Sequence, residues 1–223
     1  MTQKVLITGG FGVLGEAVAG AFRAAGASVA LIDQAPAQAA AGAPDVRIGG
    51  VDLTDARAAL AAFEAARDAL GGADVLVNVA GAFRFETLAE GDPGAWEGLF
   101  AANLITCANM CRAAASRLSD GGAIVNIGAA AAEKAGAGMG PYAASKAAVA
   151  RLTESLAAEL AGRVRVNAVL PLTLDTPRNR ADMPGVDPRL WTRPEAVADV
   201  IVFLASPAGR AINGALVPVA NPG

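Results

Sequence analysis

The sequence predicts one α/β domain, a parallel sheet covered by helices on both faces. Three observations carry this. Seven apolar runs of strand length recur along the chain. Helical patterns separate most of them, and the runs are continuously apolar rather than alternating, as expected for strands buried on both faces. The first run leads straight into a glycine turn and then a helix, the unit that opens nucleotide-binding α/β sheets.

The strands are expected at Val5–Ile7, Ser28–Ile32, Val46–Val51, Val75–Val79, Ala123–Ile127, Val164–Leu170 and Ala215–Val219. Helices are expected over Gly15–Ala25, Thr54–Leu70, Pro93–Leu118, Pro141–Ala161 and Pro194–Leu204. Thr54 reads as the cap of the second helix and Gly81 as a turn former. The connection "QAPAQAAAGAPD" after Asp33 is broken by Pro and Gly, and is expected to be a loop or a single turn. A second irregular stretch, Leu172–Arg193, carries prolines at 177, 184 and 188 just past a strand end. Open α/β sheets bind ligands there, so a lid or substrate loop of about 172–193 is expected.

Composition narrows the function. With 223 residues and 54% hydrophobic content the chain can bury one sizeable core. Net charge is −3, with no basic stripe for nucleic acid and no cationic cluster for an anionic membrane. No apolar run reaches the length of a membrane span, and "MTQKVLITGG" lacks a signal-peptide layout, so a cytoplasmic protein is expected. Cys107 and Cys111 sit four apart in a helical pattern, without histidine, and read as helix packing; no metal site is expected. Histidine is absent altogether, so proton chemistry falls to carboxylates, Cys, Lys or the single tyrosine, Tyr142.

In "VLITGGFGVLG", Gly9, Gly10, Gly12 and Gly15 allow a tight turn and close approach to a pyrophosphate, with free helix N–H groups beyond. Asp33 ends the second strand eighteen residues after Gly15. Its carboxylate suits an adenosine ribose and would repel a 2′-phosphate. No Arg or Lys lies in the turn or beside Asp33 in sequence, so NAD(H) is preferred over NADP(H). The segments "VDLTD" (51–55) and "NVAG" (78–81) stand at strand ends. Asp52 is placed near adenine and Asn78–Gly81 beside the adenosine ribose, and each alone is equally well read as local capping or a turn. Tyr142 and Lys146 lie four apart near a helix start, on one face. An adjacent cation is expected to lower the phenol from its ordinary value of about 10. On spacing alone, an ordinary amphipathic pair is the simpler reading.

Taken together these residues change that balance. The chain resembles the short-chain dehydrogenase/reductase family over nearly its whole length. The resemblance is carried by "TGGFGVLG" (8–15), Asp33, "DLTD" (52–55), "NVAG" (78–81), Asn103 in "AANL", Tyr142 with Lys146, and "RPEAVADVIVFLAS" (193–206). It implies a Rossmann-type doubly wound fold of about seven strands and NAD(P)-linked hydride transfer. It implies a catalytic Tyr142–Lys146 pair, with Asn103 helping to hold a proton-relay water. It further implies cofactor contacts from Gly9, Gly10, Phe11, Gly12, Val13, Leu14, Gly15, Asp33, Asp52, Leu53, Asn78, Ala80, Gly81, Tyr142, Lys146, Pro171, Thr173 and Thr176.

Two departures from the family pattern stand out. Val13 occupies the place of the third glycine, with Gly12 one position earlier. Ala129, thirteen residues before Tyr142, stands where the family has a catalytic serine, and no Ser or Thr occurs between Ile127 and Pro141. Loss of such an oxyanion donor typically costs several kcal/mol in a carbonyl reduction. Both departures resemble the dihydropteridine reductase branch, as do "GMGPYAASKAAV" and, above all, "LPLTLDTPRNRADMP" followed by "WT" (170–192), where Leu172 replaces a common family glycine. That resemblance implies NADH-dependent reduction of a quinonoid dihydropterin, with Ala129 and Tyr142 at the substrate. The aromatics Phe83 and Trp191 suit the border of a flat pterin and are at least as well read as core or lid packing. Two alternatives stay open: a short-chain reductase of another carbonyl or imine, and a catalytically silent NAD(H)-binding sensor or structural subunit. Small residues on the helices 93–118 and 141–161 agree with the family's helix-bundle interface, so a homodimer or homotetramer is expected.

Overall fold

The strands and helices follow the order read from the sequence, with boundaries shifted by up to three residues. The computed structural model describes residues 2–37 and 45–221. The strands are β1 (Lys4–Thr8), β2 (Ser28–Ile32), β3 (Val46–Ile48), β4 (Val75–Asn78), β5 (Ala123–Ile127), β6 (Arg165–Pro171) and β7 (Leu216–Val219). They form one seven-stranded sheet in the order β3-β2-β1-β4-β5-β6-β7, and every neighbouring pair is parallel. The helices are α1 (Val13–Ala24), α2 (Ala56–Leu70), α3 (Gly94–Phe100), α4 (Thr106–Ala115), α5 (Gly140–Glu159), α6 (Pro177–Asp182) and α7 (Pro194–Ala205). The strand order reverses between β1 and β4, so the loops after these two strands part and leave a crevice at the carboxyl edge.

Two apolar layers flank the sheet. One gathers Leu6, Leu76 and Ile124 with Phe63 of α2, Met110 of α4 and Val149 of α5. The other gathers Val5, Val77 and Val125 with Phe22 of α1 and Ile201 of α7. Alternate residues of β1, β4 and β5 thus serve opposite layers, which is why these strands carry no polar face.

Local chemistry explains three differences from the sequence reading. The cap of α2 is Asp55, one residue beyond the expected Thr54; its Oδ1 accepts from the N–H groups of Arg57 at 2.7 Å and Ala58 at 3.1 Å. Thr54 instead donates its hydroxyl to Asp52. The expected helix 93–118 is a helical run interrupted by a π-turn at Ala101–Ile105, between α3 and α4. The stretch 172–193 contains α6, and Leu174 pairs with Thr192 in a short bridge that folds the loop back on itself. Most of the expected loop after Asp33 lies outside the described residues.

Candidate active site

The crevice at the carboxyl edge is a cleft of about 940 Å³ that reaches from Asp33 to Tyr142. At its first end the chain turns on the glycines. Gly9 has φ +62°, and a Cβ there would stand 2.7 Å from the Ala80 nitrogen. A Cβ on Gly15 would stand 2.2 Å from the Gly9 carbonyl oxygen. Side chains are therefore shut out where backbone amides line the cleft, and the cradle fits a phosphate-bearing group held close to the main chain. Val13, in place of a glycine, is 49% exposed and lines the cleft from the first turn of α1.

Asp33 is fixed by two backbone groups: Phe11 N–H donates to Oδ2 at 2.9 Å and Ala35 N–H to Oδ1 at 3.0 Å. Each oxygen keeps a further lone pair for a ribose hydroxyl. Asp52 accepts from the Thr54 hydroxyl at 2.7 Å and the Thr54 N–H at 2.9 Å, which hold its carboxyl below the usual range. Thr8, the first residue of the glycine motif, braces the next wall: its hydroxyl accepts from Ala80 N–H at 3.2 Å. Arg47, far from Asp33 in sequence, comes from β3 to stack 4.4 Å over the Phe11 ring and pairs with Glu16 at 2.8 Å.

The second end is assembled by α5, β5 and the π-turn. Lys146 is 5% exposed and donates from Nζ to the Ile127 carbonyl at 2.8 Å. Burial pulls its ammonium down to about 8, with the nearby Cys107 thiol acting weakly in the other direction. Burial also pushes the Tyr142 phenol up to about 12. The expected lowering of the phenol by its lysine is thus reversed in this state, because desolvation dominates and the ammonium is turned to a carbonyl. A phenol so placed is fully protonated at neutral pH. Phe83 meets the Tyr142 ring edge-on, centroids 4.9 Å apart.

Asn103 sits in the π-turn and is 1% exposed. Its Nδ2 donates to the Ala82 carbonyl at 3.0 Å and to Ser145 Oγ at 2.9 Å, while Oδ1 accepts from Ala82 N–H at 2.8 Å. Ser145, wholly buried, donates a hydrogen bond from its hydroxyl to the Tyr142 carbonyl at 2.7 Å. A Cβ on Gly81 would lie 2.6 Å from Asn103 Oδ1 and 3.4 Å from Lys146 Nζ, so Gly81 is where the loop after β4, the π-turn and the lysine converge.

Of the residues expected at the site, Gly9, Gly12, Val13, Leu14, Gly15, Asp33, Asp52, Leu53, Ala80, Gly81, Phe83, Tyr142, Lys146 and Thr176 line the cleft. Gly10 and Phe11 stand behind the turn. Asn78 is 3% exposed and points beneath the sheet edge, where it donates to Asn126 at 2.9 Å and Cys111 at 3.3 Å. Pro171 and Thr173 are likewise outside the lining. Ala129 is 5% exposed, buried at the start of a 3-10 turn. Trp191 is also 5% exposed, beside the Leu174–Thr192 bridge, and is not among the residues that line the cleft, which agrees with its packing reading. The sequence reading missed Leu174 and Arg178, which line the cleft from the loop after β6.

Cleft, glycine cradle and phenol–ammonium pair together define a nucleotide-cofactor-linked oxidoreductase on a doubly wound sheet. The short chain dehydrogenase family model matches residues 3–186, and the chain belongs to that family. It is 32% identical to 2-(S)-hydroxypropyl-CoM dehydrogenase 3 of Xanthobacter autotrophicus, over 96% of this chain and 93% of that protein. It is 35% identical to D-threitol dehydrogenase of Mycolicibacterium smegmatis, over 96% and 89%. Among solved structures, a short chain dehydrogenase from Burkholderia cenocepacia in complex with NADP superposes with TM-score 0.87 at 32% identity, covering 99% of this chain and 97% of that one. These relatives are dehydrogenases, and none of them is a dihydropteridine reductase.

Proposed function

We propose that the protein is an NADH-dependent reductase whose acceptor is a conjugated, nitrogen-rich ring, a quinonoid dihydropterin in the first instance. One observation carries the reading: the Tyr142–Lys146 pair stands at the end of the cleft, while Ala129 replaces the serine that would clamp a carbonyl oxygen. A ring that spreads incoming negative charge over several nitrogens needs a proton donor more than an alkoxide clamp. The segment "LPLTLDTPRNRADMP", with its likeness to dihydropteridine reductases, supports the same substrate.

NADH, when bound, supplies the hydride. The glycine cradle and Thr176 would hold it, with Asp33 accepting from its adenosine ribose and Lys146 reaching the second ribose. Asp33 favours NAD(H) by repelling a 2′-phosphate. Tyr142 keeps its proton at neutral pH and donates it from the phenol oxygen to a ring nitrogen of the acceptor. The Lys146 ammonium, charged below about pH 8, then steadies the phenolate. Asn103 and Ser145 fix the start of α5 and so the position of the phenol. The enzyme is read as a cytoplasmic homodimer or homotetramer joined through small-residue faces of α4 and α5. Among the described residues, no helix is long and apolar enough to cross a membrane.

A second reading is favoured by the relatives, which include dehydrogenases named for 2-(S)-hydroxypropyl-CoM and for D-threitol. In it the chain acts on an alcohol or ketone, and Tyr142 alone serves the oxygen. NADH oxidation with quinonoid dihydropterin, run beside a ketone panel, separates the two. Turnover confined to the ketones overturns the pterin reading.

A further inference from the structure

The charged residues that line the cleft are Asp33, Asp52, Lys146 and Arg178. Two of these are carboxylates, and both belong to the adenosine end. Lys146 is buried and committed to the Ile127 carbonyl. Arg178 is therefore the one solvent-exposed cation of the described lining. It comes from the first turn of α6, within the loop that follows β6.

The two arginines at the start of α6 are held in different ways. Arg180 grips Asp175 with both ends of its guanidinium, at 2.6 and 2.7 Å. That bidentate pair ties α6 to the end of the preceding loop. Arg178 makes one long contact, Nε to Asp182 at 3.4 Å, with its side chain 85% exposed. An exposed single contact of this kind holds a side chain weakly. The segment itself is well seated: Leu174 packs in the same apolar layer as Phe11 and Leu14, the residues of the glycine turn and of the start of α1. Arg178 thus shares the lining of one cleft with Gly9, Gly12 and Gly15 of the cradle, and its own ion pair is easily exchanged.

The cradle lacks any charge of its own. Gly9, Gly12, Val13, Leu14 and Gly15 offer backbone only. A dinucleotide brings two negative charges to this place, and amides with a helix terminus offset only part of them.

We infer that Arg178 is the counter-ion of the cofactor's diphosphate, leaving Asp182 to close over the cradle when the cofactor binds. The inference rests on the reading of the cleft as an NAD(H) site and adds a residue that this reading does not contain. It sets cofactor affinity through charge, and it gives the loop after β6 a reason to order around bound dinucleotide.

The test is equilibrium binding of NADH, ADP-ribose and adenosine to the wild type, Arg178→Gln, Arg178→Lys and Asp182→Asn proteins at low and high salt. Arg178→Gln should weaken NADH and ADP-ribose about tenfold, the scale of one charge-assisted contact, and leave adenosine unchanged. It should also flatten the salt dependence of NADH binding. Arg178→Lys should recover part of the loss, and Asp182→Asn should tighten NADH roughly twofold to threefold by releasing the guanidinium. Equal NADH affinity in wild type and Arg178→Gln overturns the inference. So does a change confined to the KM of the acceptor, which would give Arg178 to the substrate. A wild-type protein that binds ADP-ribose and NADH with no measurable affinity overturns the cofactor reading itself, and this inference with it.

Discussion

The two ends of the cleft are built by different means. The proposed adenosine end is drawn from short segments near the start of the chain: a turn from Gly9 to Gly15, Asp33 just past β2, and Asp52 in the loop after β3. Its carboxylates are each aimed by a backbone N–H two residues on, and Asp33 also by the Phe11 N–H of the glycine turn, 22 residues away. The catalytic end is made of groups from α5, β5, the loop after β4 and a π-turn, and its hydrogen bonds join residues 19, 21 and 42 positions apart. The first end works mainly by backbone geometry, closed by the approach of Gly9 to Ala80 and of Phe11 to Asp33. The second works by burial, which belongs to the assembled fold. Damage should therefore differ in kind: chemistry and pH response at one end, binding at the other.

The largest effect is expected at the catalytic end. Tyr142→Phe keeps the ring that meets Phe83 and removes the proton. Turnover should fall about 10²-fold to 10⁴-fold, the usual worth of a positioned acid, while NADH affinity stays within about twofold. Steady-state rates beside a fluorescence titration check this, and unchanged turnover would sink the role given to Tyr142.

Next in size is the pH dependence of stability. Lys146 titrates at about 8 in the folded protein against an ordinary 10.5. Below pH 8 both states carry the ammonium and the fold bears its full desolvation; above 10.5 neither is charged. Stability should rise with pH between 8 and 10.5, because the unfolded chain binds more protons there. Tyr142 runs the other way, its raised value making stability fall between pH 10 and about 12. Between pH 7 and 10 the wild type should gain roughly 2 kcal/mol relative to Lys146→Met. Urea midpoints across that range measure it, and parallel curves would show that the lysine is not desolvated.

The smallest of the three tests the adenosine end. Gly9→Ala puts a methyl 2.7 Å from the Ala80 nitrogen at a φ that L-residues avoid. A cost of about 1–3 kcal/mol is expected in stability or in NADH binding, with kcat at saturating NADH within about threefold. A fall in kcat alone would mean that the two ends are not separable in this way.

The same contrast governs what could be read from the chain. Val5–Ile7, Ser28–Ile32 and Ala123–Ile127 were legible because a strand buried on both faces must be apolar throughout. The glycine turn and Asp33 were legible because glycines between a strand and a helix, followed by an acid after the next strand, mark them by residue type and spacing, although Phe11 and Ala80, which hold them, are distant in sequence. The π-turn was not, since "AANLI" has no composition that marks an extra residue per turn; only the inward position of Asn103 reveals it. Asp55 rather than Thr54 caps α2 because Asp52 takes the Thr54 hydroxyl, a competition between neighbours that spacing cannot rank. Trp191 read equally as a substrate border or as packing, and its burial beside the Leu174–Thr192 bridge, a pairing 18 residues apart, could not be read from the sequence.

By itself the sequence determined the seven-strand parallel sheet, the phosphate cradle, the absence of histidine chemistry and the pairing of Tyr142 with Lys146. Each follows from periodicity, from backbone sterics or from side chains one helical turn apart. Only the tertiary structure decided the protonation of that pair, the bracing of Asn103 by Ser145 and Ala82, and the arrival of Arg178 at the cleft. Those depend on how far each group is removed from water and on which distant groups meet it. Desolvation and long-range contact are properties of the packed molecule, and no local pattern of residues encodes them.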